Sequence, residues 1–310
     1  MTAGAEAALH RNLPGRALLY MVAGVAAFSW LDAGAKWLTY GYAVAQIIFV
    51  GRCFTFLTIL AICLPQRNHG RLFSFRRPVL QLVRAVTGVL TMATFFWALA
   101  LMPLANVIAI AFAAPLFMTV LGATVLGEKV GPRRWGALMV GFAGVLIIAR
   151  PGSEGFGWPV LLPLSSALFY AVSNILSRRL TATESTESLM IWITGTAILC
   201  TAPFMPFQWV TPGPLDLAVF LFTGLASGAG QFLMLRAFRY GEISMLAPIE
   251  YTALVWATTL GFFIWGEVPH WSIWIGAAIV AGASLYIAHS ETGLGRRRIA
   301  ETAVPGEGAP

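Results

Sequence analysis

Ten stretches of the chain, each of roughly 20 residues, are almost free of charge, and a helix of that length crosses the hydrocarbon core of a bilayer. They lie near 17–38, 43–64, 79–101, 104–126, 134–149, 159–178, 188–209, 215–236, 243–265 and 271–289, the fifth being the shortest. In lipid the backbone must satisfy its own N–H and C=O groups, so uninterrupted apolar runs of this length predict an all-α polytopic membrane fold. The breaks between them carry turn residues, among them Pro65, Gly70, Pro132, Pro151-Gly152, Pro212-Gly213-Pro214, Gly241 and Pro269. Charged residues make up 11% of the 310 positions, against about 25% in an ordinary soluble domain, which excludes a normally solvated surface. The loops are too short to hold a soluble catalytic domain.

The basic residues set an orientation. Of the 20 Lys and Arg, three (Lys36, Arg52 and Arg84) fall within apolar runs, and Arg150 alone falls in a loop of one side. The remainder, including Arg67 to Arg77, Lys129 to Arg134, Arg178-Arg179 and Arg296 to Arg298, fall on the other. By the positive-inside rule both termini are expected in the cytoplasm. Because these clusters are short and divided by apolar runs, the net charge of +7 predicts membrane-surface anchoring and no nucleic-acid partner. Met1 to Gly15 is polar, and Ala17 to Leu31 continues without an Ala-x-Ala cleavage site, so the first run is expected to remain in the protein. Cys53, Cys63 and Cys200 sit in apolar runs as small buried side chains, and no disulfide framework is expected.

The chain also repeats itself. Leu121-Gly-Ala-Thr-Val-Leu-Gly-Glu128 recurs as Leu260-Gly-Phe-Phe-Ile-Trp-Gly-Glu267, each followed by a turn and a further apolar run from Gly136 or Gly276. Phe28 to Leu38 aligns with Tyr170 to Leu180, pairing Asp32 with Asn174 and Lys36 with Arg178. Each half, 17–149 and 159–289, holds five runs, an odd number, so the second half enters the membrane inverted. Inverted repeats are the architecture of alternating-access carriers, whose substrate site lies near midplane between the halves. Residues 1–16 are expected as a cytoplasmic N-terminal tail and 290–310 as a disordered cytoplasmic tail.

On these residues the chain resembles the drug/metabolite transporter superfamily, in its EamA-type members with two five-span repeats. The marks are the two Leu-Gly-x-x-x-x-Gly-Glu segments, Pro115, and Phe28-Ser29-Trp30-Leu31-Asp32-Ala33-Gly34-Ala35-Lys36 followed by Gln46 and Gly51-Arg52. The first-span stretch is most similar to the riboflavin and S-adenosylmethionine carriers of that group. The resemblance implies a helical basket around a central cavity lined mainly by the first, third, fourth, sixth, eighth and ninth spans.

Ionisable groups at membrane depth are costly and normally face a cavity or a partner. Asp32 and Lys36, four apart, share a helical face and can pair with each other, as a neutral structural pair or as a gate. Arg52 lies mid-span and is expected to bind substrate, lock helices or hold an ion pair, whereas Arg84, near a span end, is expected to snorkel. Glu250 follows Pro248 and joins Asp32 as a candidate for proton or cation coupling, with a fixed pairing to Arg84, Arg236 or Arg239 as the alternative. The amides of Asn106, Asn174 and Gln231 serve as ligands or interhelical glue, and Trp30, Trp97, Tyr170 and Tyr251 as stacking surfaces or packing. Gly224, Gly228, Gly136, Gly141, Gly144, Gly276 and Gly282 are expected at close helix contacts.

The chain has no P-loop, no His-Glu-x-x-His and no histidine at membrane depth, so the expectation is a non-enzymatic secondary transporter without metal or cofactor. Its partners would be the lipid bilayer of a bacterial inner membrane, a small-molecule substrate, and a proton or counter-substrate. A riboflavin-like vitamin is the first choice of substrate. An exporter or exchanger of amino acids or amino-acid-derived metabolites, S-adenosylmethionine or an opine metallophore included, is the alternative, and a non-transporting membrane subunit or sensor is the remote one.

Overall fold

The computed structural model describes residues 14–63, 77–125, 131–150, 157–180, 184, 186–240, 246 and 249–302. Among these the secondary structure is entirely helical. Seven helices are long and apolar enough to cross a membrane: Gly15–Leu38, Pro78–Leu101, Leu104–Val125, Pro132–Ala149, Trp158–Ser177, Ser188–Gln208 and Pro214–Met234. Val44–Leu60, Ala253–Trp265 and Trp271–Ile287 are shorter apolar helices. The elements are α1 (Pro14–Leu38), α2 (Val44–Cys63), α3 (Pro78–Leu101), α4 (Leu104–Ala111), α5 (Ala114–Val125) and α6 (Pro132–Ala149), then α7 (Leu161–Leu180), α8 (Thr186–Thr201), α9 (Met205–Gln208), α10 (Pro214–Tyr240), α11 (Ala253–Trp265) and α12 (Trp271–Thr302).

Four helices start on proline, at Pro14, Pro78, Pro132 and Pro214, where the missing N–H costs nothing and the fixed φ favours the first turn. Two apolar runs are not single helices. The fourth breaks at Phe112-Ala113, because Pro115 has no N–H for the Ala111 carbonyl and its ring crowds that turn. The ninth, expected from 243, has helical residues at 246, 249 and 250, a turn at Tyr251-Thr252, and α11 only from Ala253. The last helix departs from expectation in the other direction: α12 continues through Thr302, so part of the expected disordered tail is helical.

The packing interleaves the two halves of the repeat. The most extensive contacts are α1 on α10, α6 on α12 and α3 on α7, followed by α2 on α8 and, less extensively, α4 on α11. Numbered as apolar runs, these are first with eighth, fifth with tenth, third with sixth, second with seventh and fourth with ninth. A two-fold exchange of the halves maps this set onto itself. Small residues allow the approach: a Cβ on Gly144 would lie 2.9 Å from the Gly276 carbonyl oxygen, and one on Gly276 would lie 2.6 Å from that of Gly144. Gly34 meets Thr223, and Gly224 and Gly228 meet Phe54 and Thr58.

Candidate functional site: a latched end and a paired helix break

At one end of the bundle Lys36 is almost fully buried and forms an ion pair with Glu267. The ammonium also donates to the Met102 carbonyl at 3.0 Å and sits 5.1 Å from the centre of the Trp265 ring. The second carboxylate oxygen of Glu267 accepts the Leu104 N–H at 2.9 Å. One contact set thus joins α1 and the α3–α4 turn in the first half to the end of α11 in the second. Lys36 therefore has a partner other than the expected Asp32, which has no hydrogen-bond or ion-pair partner among the described residues.

The repeated Leu-Gly-x-x-x-x-Gly-Glu segment explains how the carboxylate is held. Gly266 adopts φ +67°, and its N–H bonds to the Phe262 carbonyl at 2.9 Å while the Glu267 N–H bonds to that of Gly261 at 3.1 Å. The bond from the left-handed residue to the carbonyl four positions back is that of an αL cap, which turns the chain sharply after α11 and favours glycine at its left-handed position. The earlier glycine leaves space: a Cβ on Gly261 would lie 3.1 Å from the Glu267 carboxylate. Glu267 was visible in sequence only as part of a repeat mark, and its mate Glu128 lies outside the described residues.

Two further contact sets close the same end. Gln46, fully buried, donates to the Val210 carbonyl at 2.6 Å and accepts the Val210 N–H at 3.0 Å. Trp37 and Tyr42 donate to the two oxygens of Asp216 at 3.3 and 2.8 Å. Desolvation and the Asp216 carboxylate hold the Tyr42 phenol above its ordinary pKa, so it remains a donor.

Away from that end, Phe112 and Tyr251, both half-buried, meet edge to face with ring centres 4.9 Å apart. Both rings stand at helix breaks, and the repeat offset of the Gly-Glu segments carries one position onto the other. Turns at helix interruptions release backbone polar groups, which in membrane proteins are tolerated where they face a cavity or a ligand. Glu250 lies beside this pair, within electrostatic reach of the Tyr170 and Tyr251 phenols. The Asn174 amide neighbours the Tyr170 phenol and donates to the Tyr170 carbonyl at 2.9 Å. Four sequence candidates, Tyr170, Asn174, Glu250 and Tyr251, are thereby brought together, with Phe112 as an unanticipated fifth member. Glu250 forms no ion pair with Arg84 or Arg236. Arg84 is buried and donates to Ser177 Oγ at 2.6 Å and to the Leu189 carbonyl at 2.9 Å, tying α3 to α7 and α8 where snorkelling was expected. Arg236 stacks on Phe232.

The remaining candidates lie apart from this cluster. Trp30 packs edge to face on Phe222 in an apolar groove between α1 and α10, about 200° around the helix from Asp32. Arg52 lines a separate small cavity and donates to the Met92 sulfur. Gln231 reaches Ser227 on its own helix at 3.5 Å. Trp97 is exposed on α3, and Asn106 is half-buried on α4. Among the described residues no group of His, Cys, Asp and Glu is arranged to hold a metal ion.

Comparison with known proteins agrees with this architecture. A riboflavin transporter from Rhizobium johnstonii is 32% identical over 291 residues, 90% of this chain and 93% of the relative. An S-adenosylmethionine uptake transporter from Rickettsia prowazekii is 27% identical over 69% of this chain and 73% of its own. A crystal structure with 22% sequence identity superposes over 91% of this chain and 98% of the other at a TM-score of 0.61, a likeness of fold. The description of the EamA-like transporter family matches residues 15–150 and 157–288, the two halves of the repeat. The chain is a multi-pass membrane protein that belongs to the EamA-like transporter family.

Proposed function

We propose that this protein is an alternating-access secondary carrier of a small organic metabolite in a bacterial inner membrane, with ten spans and both termini in the cytoplasm. The observation that carries the reading is the Lys36–Glu267 pair, a buried ionic contact between the two inverted halves at one end of the molecule. The distribution of Lys and Arg makes that end external. With Gln46–Val210 and the Asp216 contacts also formed, this conformation is closed to the outside.

Transport then requires the pair to part as the halves rock. A lone ammonium in a low-dielectric setting is costly, and Asp32 stands one helical turn before Lys36 on the same face without a partner. When Glu267 withdraws, Asp32 takes over the ammonium, so the charge is compensated in both end states. Substrate occupies the interior beside Phe112, Tyr251 and Tyr170, where flat rings offer stacking surfaces and Glu250 and Asn174 offer acceptor and amide groups.

A planar vitamin of the riboflavin type is the preferred substrate, supported by these rings and by the name of the 32% identical relative. A cationic amino-acid-derived metabolite such as S-adenosylmethionine is the second reading, favoured by a Glu250 carboxylate without a cation among the described residues. Proteoliposome flux with labelled riboflavin and labelled S-adenosylmethionine, with and without an imposed pH gradient, tests both. Saturable riboflavin flux is expected. Movement of S-adenosylmethionine alone would transfer the site to the second reading.

A further inference from the structure

Arg52 lies in the middle of α2, away from both the latch and the paired helix break, and the proposed transport cycle does not use it. Its guanidinium donates to the Met92 thioether, a weak acceptor. Among the described residues no carboxylate stands within ion-pair distance of it. The contrast with Arg84 is direct, since that residue has a hydroxyl and a backbone carbonyl as partners. A guanidinium within a membrane-spanning helix requires compensation, and a thioether does not supply negative charge.

Beside Arg52 is a cavity of about 30 Å³ between α1, α2, α3 and α10, lined by Gly51, Thr55, Phe96, Thr223 and Ser227 among others. That volume holds one or two water-sized bodies. The hydroxyls of Thr55 and Thr223 are committed to the Gly51 and Phe220 carbonyls, both at 2.9 Å. Ser227 accepts a long 3.5 Å contact from Gln231 and keeps its own proton to donate. The cavity therefore offers a full positive charge and one free hydroxyl donor, the protons of its two threonine hydroxyls being already committed. It is too small for a phosphate or sulfate, and its charge repels a metal cation.

We infer that Arg52 and this cavity bind a small inorganic monoanion of halide size, which compensates the guanidinium and ties α2 to α1, α3 and α10. The inference stands independently of the transported substrate. It is tested by thermal unfolding of the purified full-length protein at fixed ionic strength, replacing sodium gluconate stepwise by chloride, bromide or acetate. The wild type should show a saturable rise of about 3 °C with chloride and with bromide. Arg52→Gln should abolish the response, and Ser227→Ala should raise the half-saturating concentration about tenfold. Identical unfolding of the wild type in gluconate and chloride would overturn the inference, as would an undiminished chloride response in Arg52→Gln. A shift produced by acetate and not by the halides would also overturn it, assigning the cavity to the carboxylate end of an organic ligand. The wild-type and Ser227→Ala arms decide the matter even where Arg52→Gln does not fold.

Discussion

The Lys36 ammonium and the Glu267 carboxylate are 3% and 20% exposed, so removing either strands the other in a setting where water compensates poorly. The cost should be about 2 kcal/mol, at or below the low end for buried pairs because Glu267 retains some solvent. Lys36→Met and Glu267→Gln should each lower the unfolding midpoint and reduce flux, and the double exchange Lys36→Glu with Glu267→Lys should regain part of both. Wild-type midpoints in both single variants would show that the pair contributes nothing. Asp32→Ala and Glu250→Gln should impair flux without preventing insertion, and unimpaired flux in either variant removes that residue from the mechanism. The Asp32–Lys36 spacing was legible in sequence because it is local. The partner that Lys36 takes lies 231 residues away, and no local pattern announces such a contact. That Trp30 and Asp32 point apart follows from their two-residue spacing, but which face of α1 meets protein was not legible, since α1 is apolar on all sides and lipid and protein neighbours select the same side chains.

At the scale of elements, proline and glycine made the helix boundaries readable, and the recurring Gly-Glu segment revealed the repeat. The structure gives that segment a physical function: one glycine opens space for a carboxylate, the next forms the left-handed cap, and the glutamate is aimed across the bundle. Gly266→Ala should cost about 1 kcal/mol through backbone strain and should lower flux further by displacing Glu267, measured by unfolding and transport together. The break at Phe112-Ala113 was foreshadowed by Pro115, whereas Tyr251-Thr252 contains no breaking residue and is intelligible only through its repeat mate. Pro115→Ala returns the missing N–H and should straighten α4 into α5. We expect unchanged or higher stability with slower transport, and unaltered flux would mean that the break serves packing alone.

For the molecule as a whole, the apolar runs, their loop charges and the internal repeat were legible because each is written in contiguous sequence. How the halves interleave was not, since α1 against α10 and α3 against α7 are contacts between distant runs of similar composition. That interleaving gives the Lys36–Glu267 contact its weight in the proposed cycle, where opening that end requires movement of elements from both halves. The direct test is riboflavin flux in proteoliposomes by a Lys36→Cys, Glu267→Cys double variant, with Cys53, Cys63 and Cys200 replaced by Ala, compared under oxidising and reducing conditions. The account predicts saturable flux when the pair is reduced and none when it is cross-linked, with full recovery on reduction. Equal flux in the two conditions, with cross-linking verified, would contradict it.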